Sequence, residues 1–315
     1  MRSSFLPPWL AATAFLVVSL AASNADAYCR TSTLGLEDGC TISEGSCCTL
    51  GKPLYWKNAC VGYSIHKVAS RSIPYDDTAD AIATAFRKWT DVTCQTDGQG
   101  SSRVSVDVRD LGKVDCGVVA YDKQGGPNQH VIAYRDDIWG HADASNTLAL
   151  TTVVYNPDTG EIYDADMEIN TAEHTMTTKD PIPDGGYDFA SIVTHEVGHF
   201  LGMAHATDVN ATMFAQYNPG STQMRNLTLD DVNGICAAYP PDGTRLTADD
   251  VKIPEDVCDP TPRGGFTTQC PPPPSSRCSI GPGGVGQNAS GSSGWREGAL
   301  VFVGLTAAIA RRRKR

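Results

Sequence analysis

Residues 194–205 read THEVGHFLGMAH, and the spacing of their histidines decides how the rest of the chain is read. Each imidazole brings two polar nitrogens that need partners, so a buried apolar helix has little use for them. Four helical residues turn about 400° and rise about 6 Å, which puts His195 and His199 on one face. Their ring nitrogens can then reach one tetrahedral zinc ion at about 2.0–2.1 Å. A continuous helix would carry His205 about 9 Å beyond His199 and roughly 120° around the axis, away from that ion. The chain must turn between them, and Gly202 is the residue that accepts positive φ without steric cost.

Glu196 follows His195 by about 100° around the helix, which sets its carboxylate beside the metal. Three protein ligands leave a fourth position for water, whose pKa zinc lowers to about 7. A carboxylate in that place can take the proton from the water and pass it to a leaving amine. Nucleophile, base and electrophile for peptide hydrolysis are thus all present.

The surrounding chain is suited to such a site. It has 315 residues and a formal net charge of -11, a balance that argues against nucleic acid as a partner. Arg2, an apolar run near Trp9–Ala22 and the small residues Ala25–Ala27 make residues 1–27 a secretory signal peptide. Secretion fits the eleven cysteines, at 29, 40, 47, 48, 60, 94, 116, 236, 258, 270 and 278. Outside the cytosol they are most simply disulfides, with Cys278 as the odd one and the pairing left open by spacing. None sits in a CxxC pair, which argues against a thiolate zinc site.

Residues 28–60 form a Cys-rich N-terminal segment without helical periodicity. A strand is expected within 60–70 and a helix over 76–89, with Ala79, Ile82, Ala83, Phe86 and Trp89 on one face and Asp76 or Asp77 as its cap. The stretch 103–108, RVSVDV, alternates strictly and reads as a strand, as do 130–134 and 148–155. The turn NPDTG at 156–160 leads into a return strand over 161–170. Helices are expected at 188–202 and at 228–239, the second opened by a Thr228–Asp231 capping box. Residues 61–240 would make the catalytic domain. Residues 241–294, rich in Pro, Gly and Ser, read as a linker, and 295–315 as an anchoring or sorting tail.

The five fixed positions of HExxHxxGxxH resemble the metzincin zinc peptidases, and residues 61–240 look like the matrixin branch. The resemblance implies an α+β fold: a twisted mixed sheet with an active-site helix, then a small C-terminal lobe across a cleft. It implies His195, His199 and His205 as ligands of catalytic zinc and Glu196 as general base. Met213 falls at the family's Met-turn, and Tyr217 at the wall of its specificity pocket, although Phe214 and Ala215 replace the usual Tyr and Pro. Leu148 and Ala149 open LALTTVV, which resembles the rim strand that pairs with an extended protein or peptide substrate. Asp230 and Asp231 match acidic residues that brace the site. Asp166 replaces a structural-zinc histidine, so a second zinc is not carried over, and His130, His141 and His174 are read as ordinary. Calcium at the acidic clusters has no support in their spacing.

Cys278, a Gly/Ser spacer, the apolar run 298–310 and the basic RRRKR at 311–315 resemble bacterial C-terminal sorting signals of the MYXO-CTERM type. That tail implies attachment to a membrane or cell surface, with the catalytic domain outside. Two functional classes follow: a secreted or surface-held zinc endopeptidase, and a binding or adhesion module that keeps zinc but has lost catalysis. Retention of Glu196 favours the first.

Overall fold

The computed structural model describes residues 28–34, 47, 50–96, 100–247, 251–270, 299–303 and 306–307. The chain opens with β1 (Cys60–His66) and α1 (Tyr75–Thr90), then β2 (Thr93–Thr96), β3 (Gly100–Arg103) and β4 (Asp107–Val114). Next come β5 (Val131–Tyr134), β6 (Ala149–Tyr155), β7 (Ile162–Ile169), β8 (Met176–Thr177), β9 (Tyr187–Asp188) and α2 (Phe189–Phe200). After the site helix lie β10 (Gln216–Tyr217), a 3-10 turn (Gln223–Arg225) and α3 (Leu229–Ala238). The chain closes with β11 (Thr244–Leu246), β12 (Lys252–Pro254), β13 (Ala299–Val303) and β14 (Thr306–Ala307).

The principal sheet runs β13-β6-β7-β5-β1-β4. The pairs β7–β5, β5–β1 and β1–β4 are parallel, while β6 pairs antiparallel with β7. This is the expected mixed α+β architecture. Strands β1 and β6 are buried almost throughout, because other elements cover both sheet faces. One of those elements is α1, whose buried stripe of Ile82, Ala85, Phe86 and Trp89 faces α2. Trp89 locks the two helices together by donating its indole N–H to the Thr194 carbonyl at 2.8 Å.

Three local expectations need correction. Neither Asp76 nor Asp77 caps α1: the helix starts after Pro74, and both carboxylates lie in its first turn, where they complement the helix dipole. The alternating stretch 103–108 is not one strand. It divides between β3 and β4, because Val104 N–H bonds Val92 and Ser105 N–H bonds Tyr239, which moves the chain between sheets. Val104 and Val106 are buried at that crossing.

The third correction concerns the stretch expected as a linker from 241 onward. Through Cys270 it is built into the domain: β11 and β12 form a hairpin, Cys258 is bonded to Cys60, and Cys270 to Cys116. Arg245 is fully buried, with its guanidinium bonded to the Trp56 carbonyl at 2.8 Å and the Ser105 hydroxyl at 2.7 Å. Few apolar residues are needed when disulfides and a buried arginine do the anchoring. Cys29–Cys47 and Cys94–Cys236 complete the bridges among the described residues. The signal peptide and Cys278 lie outside them.

No helix of the described residues is long and apolar enough to cross a membrane. The segment expected as an anchoring tail instead contributes β13 to the edge of the sheet and β14 beside β10. Among the described residues, nothing supports the expected membrane attachment.

Candidate functional site

The site is assembled on α2. The Asp188 carboxylate caps this helix, accepting the Ser191 backbone N–H at 2.9 Å and its hydroxyl at 2.7 Å. Arg225 grips the same buried carboxylate through two nitrogens, at 2.8 and 2.9 Å. The loop after β10 is thereby tied to the start of the site helix.

The helix ends at Phe200, and Gly202 then takes φ +88°, the turn expected from the histidine spacing. A Cβ at Gly202 would lie 2.8 Å from the Leu54 carbonyl oxygen, so both conformation and space require glycine. Segments remote in sequence hold the turn. Thr31 donates its N–H to Gly202 at 2.9 Å and its hydroxyl to the Met203 carbonyl at 3.0 Å. Tyr239 donates its hydroxyl to Leu201 at 2.9 Å.

His195 Nδ1 lies 2.6 Å from the Thr212 carbonyl and His199 Nδ1 lies 2.8 Å from the Met203 carbonyl. Carbonyl oxygens only accept, so each Nδ1 carries the proton and each Nε2 keeps its lone pair. Those Nε2 atoms stand 3.0 Å apart, and His205 Nε2 is 3.2 Å from that of His199. A tetrahedron with zinc–nitrogen bonds of about 2.0–2.1 Å has edges of about 3.3–3.4 Å, close to this triangle. Lone pairs aimed at a common point repel unless a cation sits among them. Burial, with His205 adding to it, pushes the His195 imidazole down to about 3; burial, then His195 and His205, holds His199 well below its usual value. Both are therefore neutral, the state in which imidazole ligates. The donor set fits zinc.

Met213 lies beneath the helix. A Cβ on Gly198 would come within 2.2 Å of the Met213 sulfur and 2.8 Å of the Trp89 ring, so the glycine inside HEVGH makes room for the methionine. Asp231 braces this turn from α3, accepting the backbone N–H groups of Thr212 and Met213 at 2.9 and 3.1 Å. It also accepts the Thr228 N–H at 2.8 Å, which completes the expected capping box. Asp230 does not share the task. Its carboxylate oxygens have no hydrogen-bond partner, and burial, then repulsion from Asp231 and Asp208, raises its pKa to about 6.

Glu196 is buried and accepts a hydrogen bond from the Thr151 hydroxyl at 2.6 Å. Thr151 is the residue that sequence reasoning missed, since a threonine within a strand signals only β propensity. Leu148 and Ala149, by contrast, are fully buried at the foot of β6. Tyr217 lies in β10 with its ring 6.4 Å from that of Tyr187, and its hydroxyl donates to the Ser221 carbonyl. The three remaining expected histidines have other partners. His130 Nδ1 contacts the Gly62 carbonyl at 2.8 Å, His141 Nε2 the Glu168 carboxylate at 2.7 Å, and His174 Nε2 the Ala144 carbonyl at 3.2 Å.

Comparison with known proteins agrees with this geometry. Metalloendoproteinase 1 of Glycine max is 32% identical over 167 residues, covering 52% of this chain and 46% of that protein. Interstitial collagenase of Equus caballus is 27% identical over 220 residues, covering 67% of this chain and 38% of its own length. Matrilysin of Homo sapiens is 44% identical over a shorter stretch of 54 residues, 17% of this chain and 20% of that protein. The chain thus spans less than half the length of each of these relatives. The family model for matrixin, peptidase M10, matches residues 55–240, which is more than half of the chain and contains His195, Glu196, His199, His205, Met213 and Thr151: the chain belongs to the matrixin family.

Proposed function

We propose that this chain is a secreted zinc-dependent endopeptidase in which His195, His199 and His205 hold the metal and Glu196 is the general base. The observation that carries the reading is the cluster of three Nε2 atoms, 3.0 and 3.2 Å along two sides, two of them on the same helix as a buried carboxylate. Zinc bound there would supply a Lewis acid, polarising the scissile carbonyl and easing proton loss from water at neutral pH. Glu196 takes that proton and returns it to the leaving amine. Thr151 orients the carboxylate through its 2.6 Å hydrogen bond. Strand β6 would serve as the rim on which an extended peptide pairs through its backbone in place of β13, which asks little of substrate sequence. Asp231 holds Thr212, whose carbonyl in turn fixes the His195 ring. The four disulfides among the described residues support folding in an oxidising compartment.

The test is cleavage of a reduced, unfolded protein by the zinc-loaded chain. Chelator or Glu196→Ala should abolish it, and cleavage surviving both would refute the assignment. Tight zinc binding with no turnover on a diverse peptide library would instead support a zinc-containing binding module.

A further inference from the structure

Five of the six strands in the principal sheet lie within residues 55–240, and β13 alone comes from outside that range. Without it, β6 would be the edge of the sheet. An edge strand presents a row of backbone N–H and C=O groups with which any extended chain can pair. Here β13 takes that row: Ala299 stands opposite Tyr155, Val301 opposite Val153 and Val303 opposite Thr151, antiparallel throughout. Strand β6 is buried along its whole length, its polar residues Thr151 and Thr152 included. The covered stretch ends at Thr151, whose hydroxyl holds Glu196.

A second pairing belongs to the same end of the chain. In β14, Thr306 lies opposite Gln216 and Ala307 opposite Tyr217, parallel to β10. Tyr217 is the residue that the family resemblance places at the wall of the specificity pocket. Both strands that an extended substrate would use through its backbone are therefore already paired within the chain.

Pairing of this kind is exclusive. The open side of β6 accepts one strand, so a substrate and β13 cannot hold it together. A tethered strand has the advantage, because its effective concentration is on the order of millimolar, well above that of a dilute substrate.

We propose that β13 is an autoinhibitory strand, which holds the β6 rim against extended substrates until it is displaced; the inference rests on the endopeptidase reading above. The strand acts on substrate binding and leaves the three histidines, Glu196 and Thr151 unchanged. It therefore raises the apparent KM for an extended substrate and does not alter kcat.

The test uses the full zinc-loaded chain and a reduced, unfolded protein as substrate. Successive residues of an antiparallel strand alternate in facing a given partner, so either Val301 or Phe302 presents its N–H to β6, and proline at both removes it. In Val301→Pro, Phe302→Pro the KM should fall at least tenfold, with kcat within twofold of the parent and one zinc bound in each. A synthetic peptide of residues 299–307 should raise the KM of that variant again without lowering kcat. Within Glu196→Ala, hydrogen exchange of the amides of residues 151–155 that face β13 should be at least tenfold faster when the prolines are present. Should the double variant not fold, Val301→Pro and Phe302→Pro are compared singly, and one of them should lower KM more than the other. Equal KM in the parent and every folded proline variant overturns the inference and leaves the endopeptidase reading intact. Equal exchange also overturns it, because β13 would then give β6 no protection. Zinc-loaded chains that cleave nothing, with or without the prolines, sink the endopeptidase reading and the inference with it.

Discussion

Two of the three imidazoles are placed by one helix, and the third by a turn. His195 and His199 lie on consecutive turns of α2, and their separation is a property of the helical backbone itself. His205 lies beyond Gly202 and Met203, on a segment held by Thr31, Tyr239 and the Ala206–Met213 hydrogen bond. The difference shows that part of the proposed metal site is local while the rest depends on residues as far as 172 positions away in the chain. It also makes the two halves vulnerable to different changes.

The largest effect should come from the helical half. His199→Ala removes a ligand together with the link to Met203, and zinc content measured on the purified protein should fall from one equivalent to near zero. Glu196→Gln should keep the metal and lower kcat by about 10²–10⁴. Zinc stoichiometry and turnover on the same sample separate the two results.

The turn should be next in sensitivity. Gly202→Ala forces a side chain into φ +88° and against the Leu54 carbonyl, at a cost of at least about 1–2 kcal/mol. Zinc affinity by chelator competition should weaken while far-ultraviolet circular dichroism stays unchanged. If affinity is unaltered, the third ligand does not depend on the turn and the contrast between halves fails.

At Thr151 the effect should be confined to turnover, with the metal retained. Replacement by valine keeps the shape and deletes the 2.6 Å hydrogen bond to Glu196, a loss of about 1.5–3 kcal/mol for a charged acceptor. Turnover should fall roughly tenfold or more with KM little changed, and serine should restore most of it.

The smallest effect is expected at Asp230, the neighbour of the brace. Asp230 has its pKa raised to about 6 by burial and by Asp231 and Asp208. Folding therefore favours its neutral form, and the chain loses stability as pH rises from about 4 to about 6. Asp230→Asn escapes that loss. It should match the parent at pH 4 and be more stable at pH 7 by up to about 1 kcal/mol, after allowing for solvent screening. Thermal melts at both pH values check the sign.

Much of this was legible in the residues. The α2, α3, β5, β6 and β7 segments follow from periodicity and turn signals, because each is long or well punctuated. The cap of α1 and the strand at 103–108 were misread for related reasons. Pro74 displaced the start of the helix, and hydrogen bonds to Val92 and Tyr239 divided a stretch whose pattern looked continuous. The linker reading failed beyond 241 because composition reports apolar content and is silent about which cysteines meet. Thr151 and the pairing of the C-terminal segment with β6 and β10 leave no mark in local pattern at all.

The sequence alone determined the ligand types, their helical spacing and the need for a turn at Gly202, since these depend on covalent geometry over a dozen residues. Only the tertiary structure decided that three Nε2 atoms converge, that Thr151 meets Glu196, and that β13 pairs with β6. Those depend on contacts between residues far apart in the chain, where no short-range rule of backbone geometry applies.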